Sequence, residues 1–193
     1  SDSVVSFGGN LKNEELGLEN LLFRNDVLAS SMIGFKEKFL ECGLFDEEVG
    51  NRSEDYALWL RITEKYKIRY VRKALVGYRI HGGNLSNKSI IDVSAVLERN
   101  IQLISVYLSS KEVKIQNAAK SGIAAIFNRF AVYKFYDLDM VNSLEFLKRS
   151  FRIYKGDYKL YYLKRILFFI LLKIKIITKS KDIGFSKRFI RKW

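Results

Sequence analysis

Apolar residues recur every three or four positions from Ile90 to Tyr154, and this periodicity constrains the fold more than any other feature of the sequence. The spacing places apolar side chains on one face of an α-helix, whereas a half-buried strand would need strict alternation. It predicts three helices, over residues 90–109, 111–135 and 140–154. The most regular apolar stripe lies in the third of them and consists of Leu144, Leu147, Phe151 and Tyr154.

The part of the chain before Ile90 carries shorter and more varied patterns. There is no proline, so boundaries are taken from clusters of Gly, Asn, Asp and Ser. These clusters predict a short helix or turn at 20–26 and a helix from Phe35 to Cys42, with Phe39 and Leu40 inward and Gly43 as the terminating residue. Three apolar runs are typical of strands: Val27–Phe35, which we expect to be buried, Ile68–Val71 and Ala74–Ile80.

Composition excludes several classes of protein. An apolar share of 48% in 193 residues argues against a disordered chain and allows one sizeable core. Cys42 is the single cysteine, so an internal disulfide is excluded, and Cys/His clusters of the kind that bind zinc are lacking. Ser1 is neither an initiator Met nor the start of a signal-peptide pattern, so we expect the chain to begin inside a longer protein.

One acidic residue lies where an apolar side chain is expected. Asp55 shares a helical face with Leu58, Trp59 and Ile62, directly after a polar loop at 46–53. Charged side chains are rarely buried without a partner or a chemical task, so a catalytic base at a pocket rim is one interpretation. The alternative is that the two adjacent acids only favour a helix N-terminus that begins at a capping serine.

A second polar group falls at the end of the predicted strand Ala74–Ile80. Arg79 and His81, the only histidine, alternate with Tyr78 and Ile80 and therefore share one face of an extended segment. A histidine at a strand end is commonly a hydrogen-bonded structural residue. The neighbouring arginine favours a contact with phosphate or with a metal–phosphate group.

Four motifs in order resemble the second half of the catalytic domain of bacterial family 2 glycosyltransferases, which have the GT-A fold. They are Ala29-Ser30-Ser31-Met32-Ile33, Cys42-Gly43-Leu44-Phe45-Asp46-Glu47, Ser53-Glu54-Asp55-Tyr56-Ala57-Leu58-Trp59-Leu60-Arg61 and Tyr78-Arg79-Ile80-His81-Gly82-Gly83-Asn84-Leu85-Ser86. The resemblance covers residues 20–86, about one third of the chain. It implies an α/β fold, partly GT-A-like with few strands, followed by a mainly α-helical region. It also implies an acceptor-side catalytic part at 1–88 and a basic helical extension at 89–193.

The resemblance implies an inverting transfer of a sugar from a nucleotide-sugar donor to a hydroxyl of a carbohydrate or lipid-linked acceptor. Asp55 corresponds to the general base, and Glu54 would tune its charge or bind acceptor hydroxyls. Trp59 is a candidate for substrate binding, although packing beneath the site suits it better. Arg79 is a candidate substrate contact, and His81 a candidate for holding the metal or the diphosphate. Arg61 is expected to be structural, paired with an acid of the preceding loop.

Enzymes of this family hold Mn or Mg and the nucleotide through an Asp-x-Asp motif upstream of the acidic pair. Only 53 residues precede Glu54, too few for that nucleotide-binding half. Asp137-Leu138-Asp139 has the same spelling but lies far downstream, where capping of the next helix explains it. We therefore expect a divalent metal in the intact enzyme and none bound by this chain alone.

The net charge of +13 lies entirely in the last quarter of the chain. Residues 146–193 contain 15 Lys/Arg and two acids, whereas residues 1–145 are neutral. This asymmetry predicts an anionic partner.

A seven-residue apolar run from Ile166 to Leu172, flanked by cations, is too short to cross a bilayer. It favours peripheral attachment to the inner face of the cell membrane. A buried helix and a nucleic-acid-binding module are the alternatives, and no nucleic-acid motif supports the latter.

Overall fold

The computed structural model describes residues 15–47, 53–71, 73, 75–77, 90–155, 167 and 170. The chain divides into two compact units, Ser1–Ile126 and Phe127–Trp193, which are described separately below. Helices predominate among the described residues. They are α1 Leu18–Phe23, α2 Lys36–Glu41, α3 Glu54–Lys65, α4 Ile90–Ser105, α5 Val113–Tyr136 and α6 Met140–Ile153, with 3₁₀ turns at Ala29–Ser31 and Val106–Ser109.

The described sheet is a single antiparallel pair, β1 (Glu15–Leu16) with β2 (Ile68–Arg69). Glu15 is opposite Arg69, and Leu16 is opposite Ile68. The pairing buries the two apolar members, while Glu15 forms ion pairs with Lys67 at 3.1 Å and with Arg69 at 3.6 Å. The predicted strand at Ile68–Val71 is thus confirmed over its first two residues.

The long predicted helices are confirmed, because α4, α5 and α6 follow the periodic segments closely. The helix over Phe35–Cys42 is confirmed as α2, and Gly43 ends it with φ +83°, as a terminating glycine should. Phe39 turns inward as expected. Leu40 does not, because it lies on the exposed face of α2.

The predicted buried strand Val27–Phe35 is wrong. A 3₁₀ turn occupies Ala29–Ser31, and Ile33, at 94% exposure, and Phe35 face solvent. Apolar composition indicates a strand only where a neighbouring strand can satisfy the backbone, and the described residues provide none here. Of the predicted strand Ala74–Ile80, residues 75–77 are not a strand. The other positions of that run lie outside the described residues.

Unit Ser1–Ile126 has its core where α1 packs on α3. Leu21 and Leu22 of α1 and Leu58 of α3 are fully buried. The hydroxyl of Tyr56 donates a hydrogen bond of 2.7 Å to the carbonyl of Leu21, which fixes the two helices in register. The expected inward face of α3 is confirmed, although burial extends almost all the way round the helix. This helix is therefore an internal element that carries the acidic pair at its beginning.

Unit Phe127–Trp193 has a separate core between the second half of α5 and α6. Ala131, Phe135 and Leu147 are buried, and Leu144 and Phe151 pack against them as the predicted stripe requires. The buried hydroxyl of Ser143 is satisfied by donating to the carbonyl of Ala131 at 2.7 Å. The ring of Phe146 stacks on Phe127 and on Phe130. No helix among the described residues combines the length and apolarity needed to cross a membrane.

Gly122 of α5 lies directly against the backbone of α1. A Cβ at this position would lie 1.9 Å from the carbonyl oxygen of Leu22, a backbone atom that cannot rotate away. Replacing glycine with alanine inside a helix normally gains about 1 kcal/mol, but overpacking costs about 1–3 kcal/mol or more. We expect Gly122→Ala to lower the free energy of unfolding by about 2 kcal/mol in urea titrations followed by circular dichroism.

Gly77→Ala is the matched control for this substitution, because a Cβ there meets nothing within 4 Å. It should leave the unfolding midpoint unchanged. A stabilised Gly122→Ala protein would mean that α1 and α5 do not approach each other this closely.

Candidate acidic site at the start of helix α3

The acidic pair lies at the N-terminus of α3, where the backbone enters the helix through an unusual residue. Ser53 has φ +68°, in the left-handed region that non-glycine residues rarely adopt. Its hydroxyl makes no capping hydrogen bond and is buried without a partner among the described residues. Ser53 occupies the N-cap position of α3, as expected. Its side chain does not cap the helix, contrary to the prediction of a capping serine. The start of α3 therefore leaves polar groups unsatisfied beside the two acids.

The Asp55 carboxylate is half-buried and accepts a hydrogen bond of 2.6 Å from the backbone N–H of Tyr56. Burial raises the pKa of this carboxyl, and the neighbouring charge of Glu54 raises it further. The hydrogen bond from Tyr56 acts in the opposite direction but does not outweigh burial. Asp55 forms no ion pair with any described residue, so no cation there offsets the effect of burial on its pKa.

Glu54 is also half-buried, and one of its carboxylate oxygens, Oε2, is buried with no hydrogen-bond partner in the described part of the chain. A buried oxygen of this kind costs free energy unless a ligand or water donates to it. Together the residues provide one carboxylate of raised pKa and one unsatisfied acceptor, next to an unsatisfied hydroxyl. This combination suits the binding of a hydroxyl compound and the removal of its proton.

Trp59 lies one turn further along α3 and is only 1% exposed. Its ring makes edge-to-face contacts with Phe39 at 6.2 Å and with Phe45 at 6.3 Å between centroids. The indole N–H is buried, and no described residue accepts a hydrogen bond from it. The side chain therefore supports the loop after α2 from beneath. The possible role of Trp59 in binding substrate stays a prediction.

Arg61 anchors the same loop. Its Nε donates to the carbonyl of Cys42 at 2.9 Å, and a second guanidinium nitrogen donates to the carbonyl of Leu44. These bonds hold two residues of positive φ, Gly43 and Leu44, in place. The structural role expected for Arg61 is confirmed by these backbone carbonyl acceptors, while its expected pairing with an acid of the loop stays a prediction.

A cluster that sequence reasoning missed ties α2 to the end of α3. The hydroxyl of Tyr66 donates to Glu41 at 2.6 Å and accepts from the ammonium group of Lys38 at 2.8 Å. The same ammonium group lies 4.4 Å from the centre of the Tyr66 ring. The sequence offers no signal for this cluster, because its members are separated by 25 and 28 residues.

The remaining candidate residues do not join the acidic pair in the described part of the chain. Arg79 and His81 lie outside it. Asp139 caps α6 by accepting from the backbone N–H of Asn142, and it pairs with Lys134 at 3.6 Å, so the capping interpretation of this acid is confirmed. Within the described ranges, no three His, Cys, Asp or Glu side chains are grouped as metal ligands.

Comparisons of the chain with family models, with curated proteins and with solved structures found no match. The resemblance to family 2 glycosyltransferases therefore rests on the four sequence motifs.

Proposed function

We propose that this chain is the acceptor-side part of an inverting glycosyltransferase that acts in the synthesis of surface polysaccharide or glycolipid. The observation that carries the proposal is the half-buried Asp55 carboxylate at the N-terminus of α3, with its raised pKa and no ion-pair partner among the described residues. Structural acids at helix ends are ordinarily exposed and stabilised in their charged form. Asp55 departs from that pattern in the direction that a general base needs.

In the proposed reaction Asp55 takes the proton from the acceptor hydroxyl. The acceptor oxygen then forms a bond to the anomeric carbon of the donor sugar from the face opposite the leaving group. The bond to the nucleotide diphosphate breaks, and its electron pair leaves with the diphosphate. Glu54 positions the acceptor, because its unsatisfied oxygen can accept a hydrogen bond from a second hydroxyl.

In the described ranges no three potential metal ligands are grouped, and Asp139 is occupied by its helix cap. We propose that any metal of the intact enzyme is held with the donor by a nucleotide-binding part, with His81 as this chain's candidate contact. The proposed location is the cytoplasmic face of the cell membrane, where a lipid-linked acceptor is accessible. A basic module without catalytic activity is the competing function.

The proposal predicts a specific pH dependence of sugar transfer. The base must be ionised, so kcat/KM should fall as the pH is lowered through the pKa of Asp55. Because that pKa is raised, the fall should occur at a pH above the ordinary value for aspartate, about 3.9. The measurement is the rate of transfer from a nucleotide sugar by the intact enzyme across a range of pH.

Glu54→Gln sharpens this test because it removes the like charge beside Asp55. Asp55 then ionises more easily, and the acidic limb of the profile should move to lower pH. Asp137→Asn is the control, since this exposed acid belongs to the other unit and should leave the profile unchanged. If the acidic limb of the Glu54→Gln profile stayed at the wild-type pH, this result would argue against Asp55 as the titrating base.

A further inference from the structure

The described part of unit Phe127–Trp193 exposes apolar side chains that a packed helical unit would bury. Leu167 and Ile170 are the described members of the apolar run Ile166–Leu172, and both have helical backbone. They are 46% and 47% exposed. A helix packed inside the protein would bury residues at this spacing, so these two side chains lie on an exposed face; the rest of the run lies outside the described residues.

Helix α6 of the same unit exposes cations in a stripe. Lys148 and Arg152 are exposed, lie one turn apart and form no ion pair with any described residue. Val141, at 79% exposure, lies two turns before Lys148 on the same side of the helix. Arg149 is partly neutralised by Glu145 at 3.4 Å. The surface of α6 thus combines unpaired positive charge with an exposed aliphatic side chain.

The sequence of the same unit carries a large excess of positive charge. Residues 146–193 carry 15 Lys/Arg and two acids, so the partner must be strongly anionic. The exposed large apolar residues described in this unit are aliphatic: Leu138, Val141, Leu167 and Ile170. The rings of Phe127, Phe130 and Phe146 are engaged with one another. Single-stranded nucleic acids are bound through exposed aromatic rings, whereas membrane surfaces accept aliphatic side chains between phosphate groups.

We infer that unit Phe127–Trp193 docks on an anionic phospholipid surface, with Lys148 and Arg152 facing lipid phosphates and with Leu167 and Ile170 entering the boundary between headgroups and acyl chains. Long cationic side chains suit this arrangement, because their stems lie along apolar surface while their charges stay among the headgroups. This surface would hold the protein at the cell membrane, which is the location given in the proposed function. Its test uses no transfer reaction, so it can fail or succeed independently of Asp55.

The experiment measures binding of the full chain to vesicles of phosphatidylcholine with and without phosphatidylserine. Wild-type protein should bind the vesicles that contain phosphatidylserine, and added salt should weaken the binding. Lys148→Gln/Arg152→Gln should weaken it about 30-fold, at about fivefold for each charge. Lys36→Gln/Lys111→Gln removes the same charge from exposed positions of the other unit and should change binding little.

A second variant tests the apolar contact. Leu167→Gln/Ile170→Gln should weaken binding by about tenfold or more, because the side chains no longer gain free energy from leaving water. Both side chains are exposed, so the melting temperature should not change. If Lys148→Gln/Arg152→Gln and Lys36→Gln/Lys111→Gln weakened vesicle binding equally, the inference would be overturned. Salt-dependent binding to single-stranded DNA with none to the vesicles would also overturn it, in favour of the nucleic-acid alternative.

Discussion

Asparagine in place of Asp55 is expected to abolish measurable sugar transfer while the affinity for the nucleotide sugar stays near its wild-type value. The amide oxygen can still accept the hydrogen bond from the N–H of Tyr56, so the geometry at the start of α3 is kept. The amide cannot take a proton at neutral pH. Loss of a general base reduces rates by about 10²–10⁴-fold. Transfer assays on the intact enzyme measure the rate, and calorimetric titration with the nucleotide sugar measures donor binding.

The effect of Asp55→Asn on stability distinguishes a catalytic base from an acid that only stabilises the helix N-terminus. Burial raises the pKa of Asp55, which means that the folded protein disfavours the ionised carboxylate at neutral pH. Asparagine removes that penalty, so the variant should be as stable as the wild type or more stable. If Asp55 served mainly to stabilise the helix N-terminus, the variant would instead lose stability and keep its rate. A wild-type rate would exclude Asp55 as the base.

The helices of this protein could be predicted because their signal is local. The spacing of apolar residues in α4, α5 and α6 reports which side faces a core, whatever that core contains. The prediction of a strand at Val27–Phe35 failed because composition was its only basis. The segment has the composition of a buried strand, but a strand also depends on a partner elsewhere in the chain. The sequence likewise marks Gly122 as a glycine in a helix, but not the carbonyl of Leu22 that makes a side chain there costly.

The candidate site was predictable to a similar degree. Helical periodicity correctly placed Asp55 at the head of an inward face, and burial of Leu58 and Trp59 confirms that orientation. The positive φ of Ser53 and the unsatisfied oxygen of Glu54 had no signal in the sequence. Both depend on the backbone conformation and packing at the start of α3, which residue types alone do not specify. Local patterns therefore predicted where the acids lie, and only the structure gives their surroundings.

Trp59→Ala is expected to give the largest loss of stability in the chain. The indole ring is buried between Phe39 and Phe45, and its removal would leave a cavity beneath the loop that Arg61 anchors. Truncating a buried aromatic side chain to alanine costs about 3–5 kcal/mol, a large share of the about 5–15 kcal/mol that stabilises a typical domain. Urea unfolding followed by far-ultraviolet circular dichroism measures the effect without relying on tryptophan fluorescence.

Trp59→Phe is the matched comparison, because phenylalanine keeps an aromatic ring for both contacts and lacks the indole N–H that is buried without a partner. It should lose much less stability than Trp59→Ala, since the smaller cavity is offset by removal of an unsatisfied donor. If Trp59 only packs, Trp59→Phe should also keep the wild-type KM for the acceptor. A raised KM in a fully folded Trp59→Phe protein would instead indicate that the indole contacts substrate, through a rearrangement of the loop that Phe45 and Arg61 hold in place.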